Sequence, residues 1–374
     1  MQFTLCIPCL FGLEGLLADE IRRIGLENVR PETGRVYATG TALDVARLNL
    51  RIRTGERVLI TLAQFDANNF EDLYQGAKSV SWQDYIPESG AFPVKGHALG
   101  PTLRSEVDAG RIIKKAVADV LGTAYGVTRL PESGVKHQIQ FAIRDDKATL
   151  YLDTTGPALY KRGYRALSGD APLRETLAAG MVILSRYRGR DVFADPFCGS
   201  GTIAIEAALI ARNRAPGLAR AFDGEEWPIL PPDVWATARE EARSLEYNGT
   251  YTIHATDVDP AMIALARENA QKAGVADDIH FAVADACSFT TDAPKGVIVT
   301  NPPYGERILE REGAADLYRA FGKAYRNLEG WEAYVLSAYP EFESAFGQSA
   351  TKKRKLYNGM LKCNLYMMQK RAKR

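Results

Sequence analysis

From about residue 166 the chain alternates short apolar runs with helical stripes, and this alternation limits its fold more than any other feature. "DVFADPF" reads as a strand and "GTIAIEAALIARN" as a helix. "YTIHATDVD" is a strand, "AMIALARENAQKAG" a helix, and "IHFAVADA" and "GVIVTNPPY" are strands again. Strands that alternate with helices build a doubly wound, mostly parallel sheet, which takes its ligands at the carboxyl ends of the strands.

The chain ahead of this region is organised differently. Residues 1–65 read as βαββαβ, with an apolar stripe of Leu13, Leu16, Leu17, Ile21 and Ile24 on the first helix. That order predicts a small α+β sandwich. In residues 66–165, "FEDLYQGAKSV" and "EVDAGRIIKKAVADVLG" read as helices, and "AFPVKGHAL", "HQIQFAIRD" and "KATLYLDTTG" as strands. The basic link "LYKRGYRALSGDAP" then leads into a helix, with Asp170 as its N-cap and Pro172 in its first turn. The expected domains are therefore 1–65, 66–165 and 166–374.

Charge and cysteine usage narrow the class. A net charge of +1 rules out a polycation. The last 23 residues nevertheless carry nine Lys or Arg and no acid, a candidate nucleic-acid surface. Within them "LYNGMLKCNLYMM" is apolar enough to read as a turn plus a strand. No apolar run approaches the roughly 18 residues of a membrane span, and "MQFTLCIPCLFG" lacks a basic n-region and a cleavage pattern. A cytoplasmic protein that does not engage membranes is the expectation. Five scattered cysteines form no disulfide framework. "CIPC" (Cys6–Cys9) has the context of a redox pair, but no second pair completes a zinc site. These cysteines read as small buried residues, and no metal is expected.

The strand ends carry the chemistry. The first strand ends on Asp195 and runs into a turn with Gly199 and Gly201, which let backbone approach a ligand. The turn lacks the Gly-Lys-Ser/Thr of a Walker loop and the third glycine of the dinucleotide fingerprint. Asp257 ends the second strand, where an acid can accept ribose hydroxyls, and Asp259 suits the cap of the next helix. Asp285 ends the third strand, where it can accept from an adenine amine. The fourth strand ends on Asn301-Pro302-Pro303-Tyr304, at the place the substrate should occupy.

"DPFCGSGT", "TDVDP", "ADA" and "NPPYG", in this order, resemble the class I S-adenosylmethionine-dependent methyltransferases that modify exocyclic amines. The resemblance implies a Rossmann-like domain with a mostly parallel seven-stranded sheet. It implies that Asp195 and the Gly199–Gly201 turn hold the methionine part of S-adenosylmethionine, with Phe197 beside them. Asp257 would take the ribose, Asp285 and Ala286 the adenine, and Thr176 in "APLRETLA" the cofactor carboxylate. Asn301 Oδ1 and the Pro302 carbonyl can both accept from an amine, and proline presets the loop. Tyr304 can stack on an extruded base.

The motif leaves the amine open among adenine N6, guanine N2, cytosine N4 and glutamine. The first 165 residues resemble the ferredoxin-like and THUMP domains of RNA-modifying enzymes. The insert "ALIARNRAPGLARAFDGEEWPILP" and the end "KKRKLYNGMLKC" resemble the bacterial 23S ribosomal RNA guanine-N2 methyltransferase family. This resemblance implies N2-methylation of guanosine in 23S RNA. Its rivals are a tRNA guanosine-N2 enzyme, a DNA adenine-N6 methyltransferase and a non-catalytic RNA-binding or assembly factor. A THUMP domain implies RNA contacts to shape and phosphate. Arg162, Arg165 and Lys161 in the link, Lys95, Arg104, Lys114 and Lys115 before it, and Lys352, Lys353, Arg354 and Lys355 near the end are the candidates.

Overall fold

The computed structural model describes residues 1–165, 173–304 and 308–369. The expected cap Asp170 and Pro172 lie outside the described residues. Two compact units emerge, and their segments interleave along the chain. The first comprises Met1–Cys9, Ala18–Leu159 and Ala221–Glu241. The second comprises Leu10–Leu17, Tyr160–Arg220 and Ala242–Arg374.

The N-terminal βαββαβ order forms as β1 (Phe3–Pro8), α1 (Glu14–Ile24), β2 (Glu27–Glu32), β3 (Arg35–Gly40), α2 (Ala42–Arg51) and β4 (Leu59–Asp66). Then follow α3 (Phe70–Lys78), β5 (Val94–Leu99), α4 (Glu106–Tyr125), β6 (Ile139–Arg144) and β7 (Lys147–Asp153). The two expected segments 1–65 and 66–165 share one seven-stranded sheet of order β2-β3-β1-β4-β7-β6-β5. They join because β4 pairs with β1 on one side and β7 on the other, leaving neither strand with an open edge there. Cys6 and Cys9 are buried, and burial pushes the Cys6 thiol up to about 11, which makes it inert.

Part of the expected segment 166–374 belongs to this first unit, because Ala221–Glu241 packs there. Trp227 supplies the reason. It is fully buried, its ring stacks on His137 with centroids 4.9 Å apart, and its Nε1 donates to the Lys136 carbonyl at 3.0 Å. A buried indole requires both the area and the acceptor.

The second unit holds α5 (Glu175–Leu184), β8 (Val192–Asp195), α6 (Thr202–Ala211), the end of α7 (Pro232–Ser244), β9 (Ile253–Asp257), α8 (Pro260–Ala273), β10 (Ile279–Val283) and β11 (Gly296–Thr300). It continues with α9 (Ile308–Arg326), β12 (Trp331–Ser337), α10 (Phe342–Phe346), β13 (Lys352–Asn358) and β14 (Leu361–Met368). Its sheet has the order β10-β9-β8-β11-β12-β14-β13. The first five strands are parallel, and β14 and β13 close it antiparallel. Every residue of β11 is buried, as a central parallel strand requires. The basic run expected to precede a strand is itself the edge strand β13. Lysines on an edge discourage pairing with another chain.

Candidate active site

The parallel strands β8, β9 and β10 end side by side, which brings Asp195, Asp257 and Asp285 to one rim of the second unit. Asp195 is the most enclosed, at 1% exposure. Its Oδ1 accepts from the Thr300 hydroxyl at 2.7 Å and the Phe197 amide at 3.3 Å. Its Oδ2 has no hydrogen-bond partner among the described residues. Burial pushes this carboxyl up to about 7, against the Thr300 bond, with no neighbouring cation among the described residues to offset it. An orphaned buried carboxylate oxygen at a strand end is suited to a cationic ligand.

The turn after Asp195 leaves room for such a ligand. Gly199 has φ +49°, and a Cβ there would meet nothing within 4 Å. Gly201 has φ +84°, and a Cβ would lie 2.9 Å from Ala266, so helix packing requires glycine. The Gly199 amide donates to Asp257 Oδ2 at 2.9 Å, tying the turn to the second strand end. Asp257 Oδ1 accepts from the Asp259 amide, and Asp259 caps α8 by accepting from Ala261. Each Asp257 oxygen keeps acceptor capacity beyond that one bond. Asp285 is exposed and accepts from the Cys287 amide at 2.8 Å. A cleft of about 240 Å³ is lined by His254, Thr256, Asp285, Ser288, Phe289 and Thr291, among others. Ala286 is buried behind it, Phe197 meets Phe321 edge-on, and Thr176 is buried near the start of α5.

The acceptor side begins one residue past Thr300. Asn301 is half-buried, Pro302 buried and Pro303 exposed. Tyr318 anchors the loop: its hydroxyl donates to the Pro303 carbonyl at 2.7 Å and lies 3.1 Å from Ser337 Oγ. The Tyr304 ring, expected to present a face to a base, packs instead against the apolar cluster. Its hydroxyl donates to Asn301 Oδ1, the atom expected to receive the substrate amine. Burial, with Cys363 beside it, pushes the Tyr304 phenol upward, so it remains a neutral donor.

Two expected RNA contacts need correction. Arg162 is 3% exposed and pairs with the fully buried Glu206. Arg165 donates to Thr202 Oγ1 at 2.5 Å and pairs with Glu175 at 3.5 Å. Each arginine pairs with a buried glutamate, so their charge is consumed internally. The visible signal was Glu206, a lone acid in the otherwise apolar "TIAIEAALIA". Of the basic strand, Lys352 and Lys355 are exposed, Lys353 pairs with Glu343, and Arg354 donates to the Gly12 carbonyl. The sequence reading missed Thr300 and Tyr318. A threonine ending an apolar strand carries no signal, and Tyr318, Phe321 and Tyr325 look like an ordinary helical core stripe. Among the described residues, no group of three His, Cys, Asp or Glu could hold a metal ion, and no helix is long and apolar enough to cross a membrane.

A parallel sheet with acidic strand ends, a glycine turn and an Asn-Pro-Pro-Tyr loop defines a class I, S-adenosylmethionine-dependent methyltransferase. Residues 162–367 match the RMKL-like methyltransferase domain, 4–59 the RlmL ferredoxin-like domain and 67–153 the THUMP domain. The chain belongs to the RMKL-like methyltransferase family, in its THUMP-containing form. It is 41% identical over 368 residues to the "Putative RNA methyltransferase YpsC" of Bacillus subtilis, covering 98% of this chain and 95% of the relative. It is 36% identical to the ribosomal RNA large subunit methyltransferase K/L of Vibrio campbellii, covering 94% of this chain and 51% of the relative. The chain thus spans about half the length of that K/L protein. The crystal structure of SMU.472, complexed with SAH, superposes with a TM-score of 0.94 at 37% identity, covering 100% of this chain and 99% of that one.

Proposed function

We propose that the protein transfers a methyl group from S-adenosylmethionine to the exocyclic N2 of a guanosine in 23S ribosomal RNA, in the cytoplasm. The observation that carries the reading is the spacing of the two half-sites. An orphaned buried carboxylate, Asp195, is one hydrogen bond from Thr300, and Thr300 is one residue from Asn301. The relatives' names and the THUMP match support RNA, and the K/L relatives support the large subunit.

When bound, the cofactor supplies an electrophilic methyl on a sulfonium. Asp195 Oδ2 accepts from its methionine ammonium, with Phe197 and the Gly199–Gly201 turn as the wall. Asp257 takes the ribose hydroxyls, Asp285 and Ala286 the adenine, and Thr176 the carboxylate. Asn301 Oδ1 and the Pro302 carbonyl accept from the guanine amine. Two such bonds would favour a pyramidal nitrogen with a localised lone pair available for transfer. For this the Tyr304 hydroxyl has to release Asn301 Oδ1 or share it, and its ring then stacks on the extruded base. Exposed Lys352 and Lys355 contribute phosphate contacts. The division into 1–65, 66–165 and 166–374 belongs to the same proposal, with the matched ranges in support.

The test is one assay. Purified protein and labelled S-adenosylmethionine are incubated separately with protein-free 23S RNA, 16S RNA, bulk tRNA and duplex DNA, and the labelled nucleoside is identified. N2-methylguanosine from 23S RNA is expected. The same product from tRNA alone would correct the substrate, N6-methyladenine from DNA would overturn the RNA reading, and no label anywhere would favour a binding protein. In the same assay Asn301→Ala should lower turnover about a hundredfold or more while cofactor affinity stays within a few-fold.

A further inference from the structure

Two side chains of the second unit, Phe11 and Tyr357, remain without a role. Phe11 is 45% exposed, and Tyr357 meets its ring edge-on at 85° with centroids 5.8 Å apart. Lys355 lies over both, its Nζ 5.6 Å from the Phe11 centroid and 5.4 Å from that of Tyr357. Lys362 is the cross-strand partner of Tyr357 on β14, so its exposed side chain is on the same face of the hairpin.

The cluster is held firmly. Arg354 Nε donates to the Gly12 carbonyl at 2.8 Å, and Gly12 has φ +90°. A Cβ at Gly12 would lie 2.7 Å from the Lys355 carbonyl oxygen, so only glycine brings this segment against β13. Phe11 is thus fixed beside the hairpin with its ring outward. The hairpin also reaches the candidate active site, because Leu356 and Cys363 belong to the apolar cluster that Tyr304 packs against. Lys355 and Tyr357 flank Leu356 on β13.

A single exposed aromatic requires no explanation. Two aromatics with one ammonium over both, and a second lysine on the same face, match the chemistry of single-stranded nucleic acid: ring faces for bases, cations for phosphates. Of the nearby acids, Glu343 is paired with Lys353 and Glu14 accepts from the Gly12 amide at 2.8 Å. A duplex hides its base faces, so the fitting occupant is unpaired. We propose that Phe11, Tyr357 and Lys355 form a stacking platform for an unpaired nucleotide flanking the target base of the substrate RNA, an assignment that rests on the RNA reading above.

The experiment measures anisotropy of a labelled unpaired RNA oligonucleotide over a salt series, with turnover on 23S RNA alongside. Phe11→Ala/Tyr357→Ala should weaken oligonucleotide binding at least about fivefold. Phe11→Trp should retain wild-type affinity. Lys355→Ala should reduce the slope of log K against log salt by about 0.7. S-adenosylhomocysteine affinity, by calorimetry, should be unchanged in all three and reports an intact fold. Wild-type RNA affinity and turnover in the double alanine variant would overturn the platform. So would loss of self-association in sedimentation with RNA affinity intact, which would make the patch a protein-docking face. Wild-type protein that neither binds nor labels RNA would overturn the RNA reading itself, whereas labelling with indifferent variants overturns only the platform.

Discussion

Asp153 in the first unit and Asp195 in the second are both buried carboxylates at strand ends, and they are held in opposite ways. Asp153 Oδ2 accepts from Arg57 at 2.5 Å and Gln140 at 2.7 Å, and its Oδ1 accepts from the Thr155 amide at 3.0 Å. A guanidinium, an amide and a backbone N–H satisfy it completely. Among the described residues Asp195 has no cation, and one of its oxygens has no partner. Burial pushes both carboxyls up, but only Asp153 has an arginine opposing that. Asp153 is a closed structural joint. Asp195 carries an uncompensated desolvation cost that a ligand cation would relieve, which is what the proposed cofactor role requires.

Substitution should separate the two most sharply. Asp153→Ala leaves Arg57 and Gln140 facing a cavity and should destabilise the protein by about 3 kcal/mol, the low end for a broken buried pair because Arg57 is partly exposed. Thermal unfolding measures this, and an unchanged Tm would remove the distinction. Asp195→Asn should leave Tm at pH 8 unchanged or higher, since it removes an unpaired buried charge. It should weaken S-adenosylhomocysteine binding by about tenfold to a hundredfold, read by calorimetry. Loss of stability with normal affinity would make Asp195 a joint like Asp153.

The sequence displayed the second unit's rim more clearly than the first unit's joints. Period-two and period-3.6 patterns located β8 to β11 with their helices, and acids at three successive strand ends pointed to one rim. What stayed hidden depended on distant pairing. Arg162 and Arg165 look like surface charge in "LYKRGYR", and only the fold brings Glu206 and Glu175 to them. The partners Thr300 and Asp195 are 105 residues apart. Nothing local separates the packing Trp227, which carries its segment into the first unit, from an exposed loop residue.

The difference between the carboxylates also predicts a pH dependence. Asp195 titrates at about 7 in the fold, against an ordinary value of 3.8. Its folded pKa is raised, so the native state binds the extra proton. The stability this group contributes is full below about pH 4 and is lost as pH rises through about 7. A cationic ligand requires the ionised form, so cofactor affinity should rise over the upper part of that window, up to tenfold per pH unit below 7. Calorimetry in buffers of different ionisation enthalpy should show proton release on binding near pH 6.5, absent in Asp195→Asn. A flat affinity profile between pH 5.5 and 8 would mean that the ligand's cation does not meet this carboxylate.

The smallest effect expected, and the most discriminating, lies at Thr300. Its hydroxyl bond to Asp195 lowers the carboxyl's pKa and spans from the donor half-site to the residue before Asn301. Thr300→Val preserves shape and removes the bond. The Asp195 carboxyl should then titrate higher, shifting the midpoint of the affinity profile upward and weakening binding at pH 7 about fivefold, with little change at pH 9. Thr300→Ser should restore the profile. A bond that only filled the core would give a Tm change with no shift in midpoint, and serine would then recover less than valine because it packs worse in a buried strand.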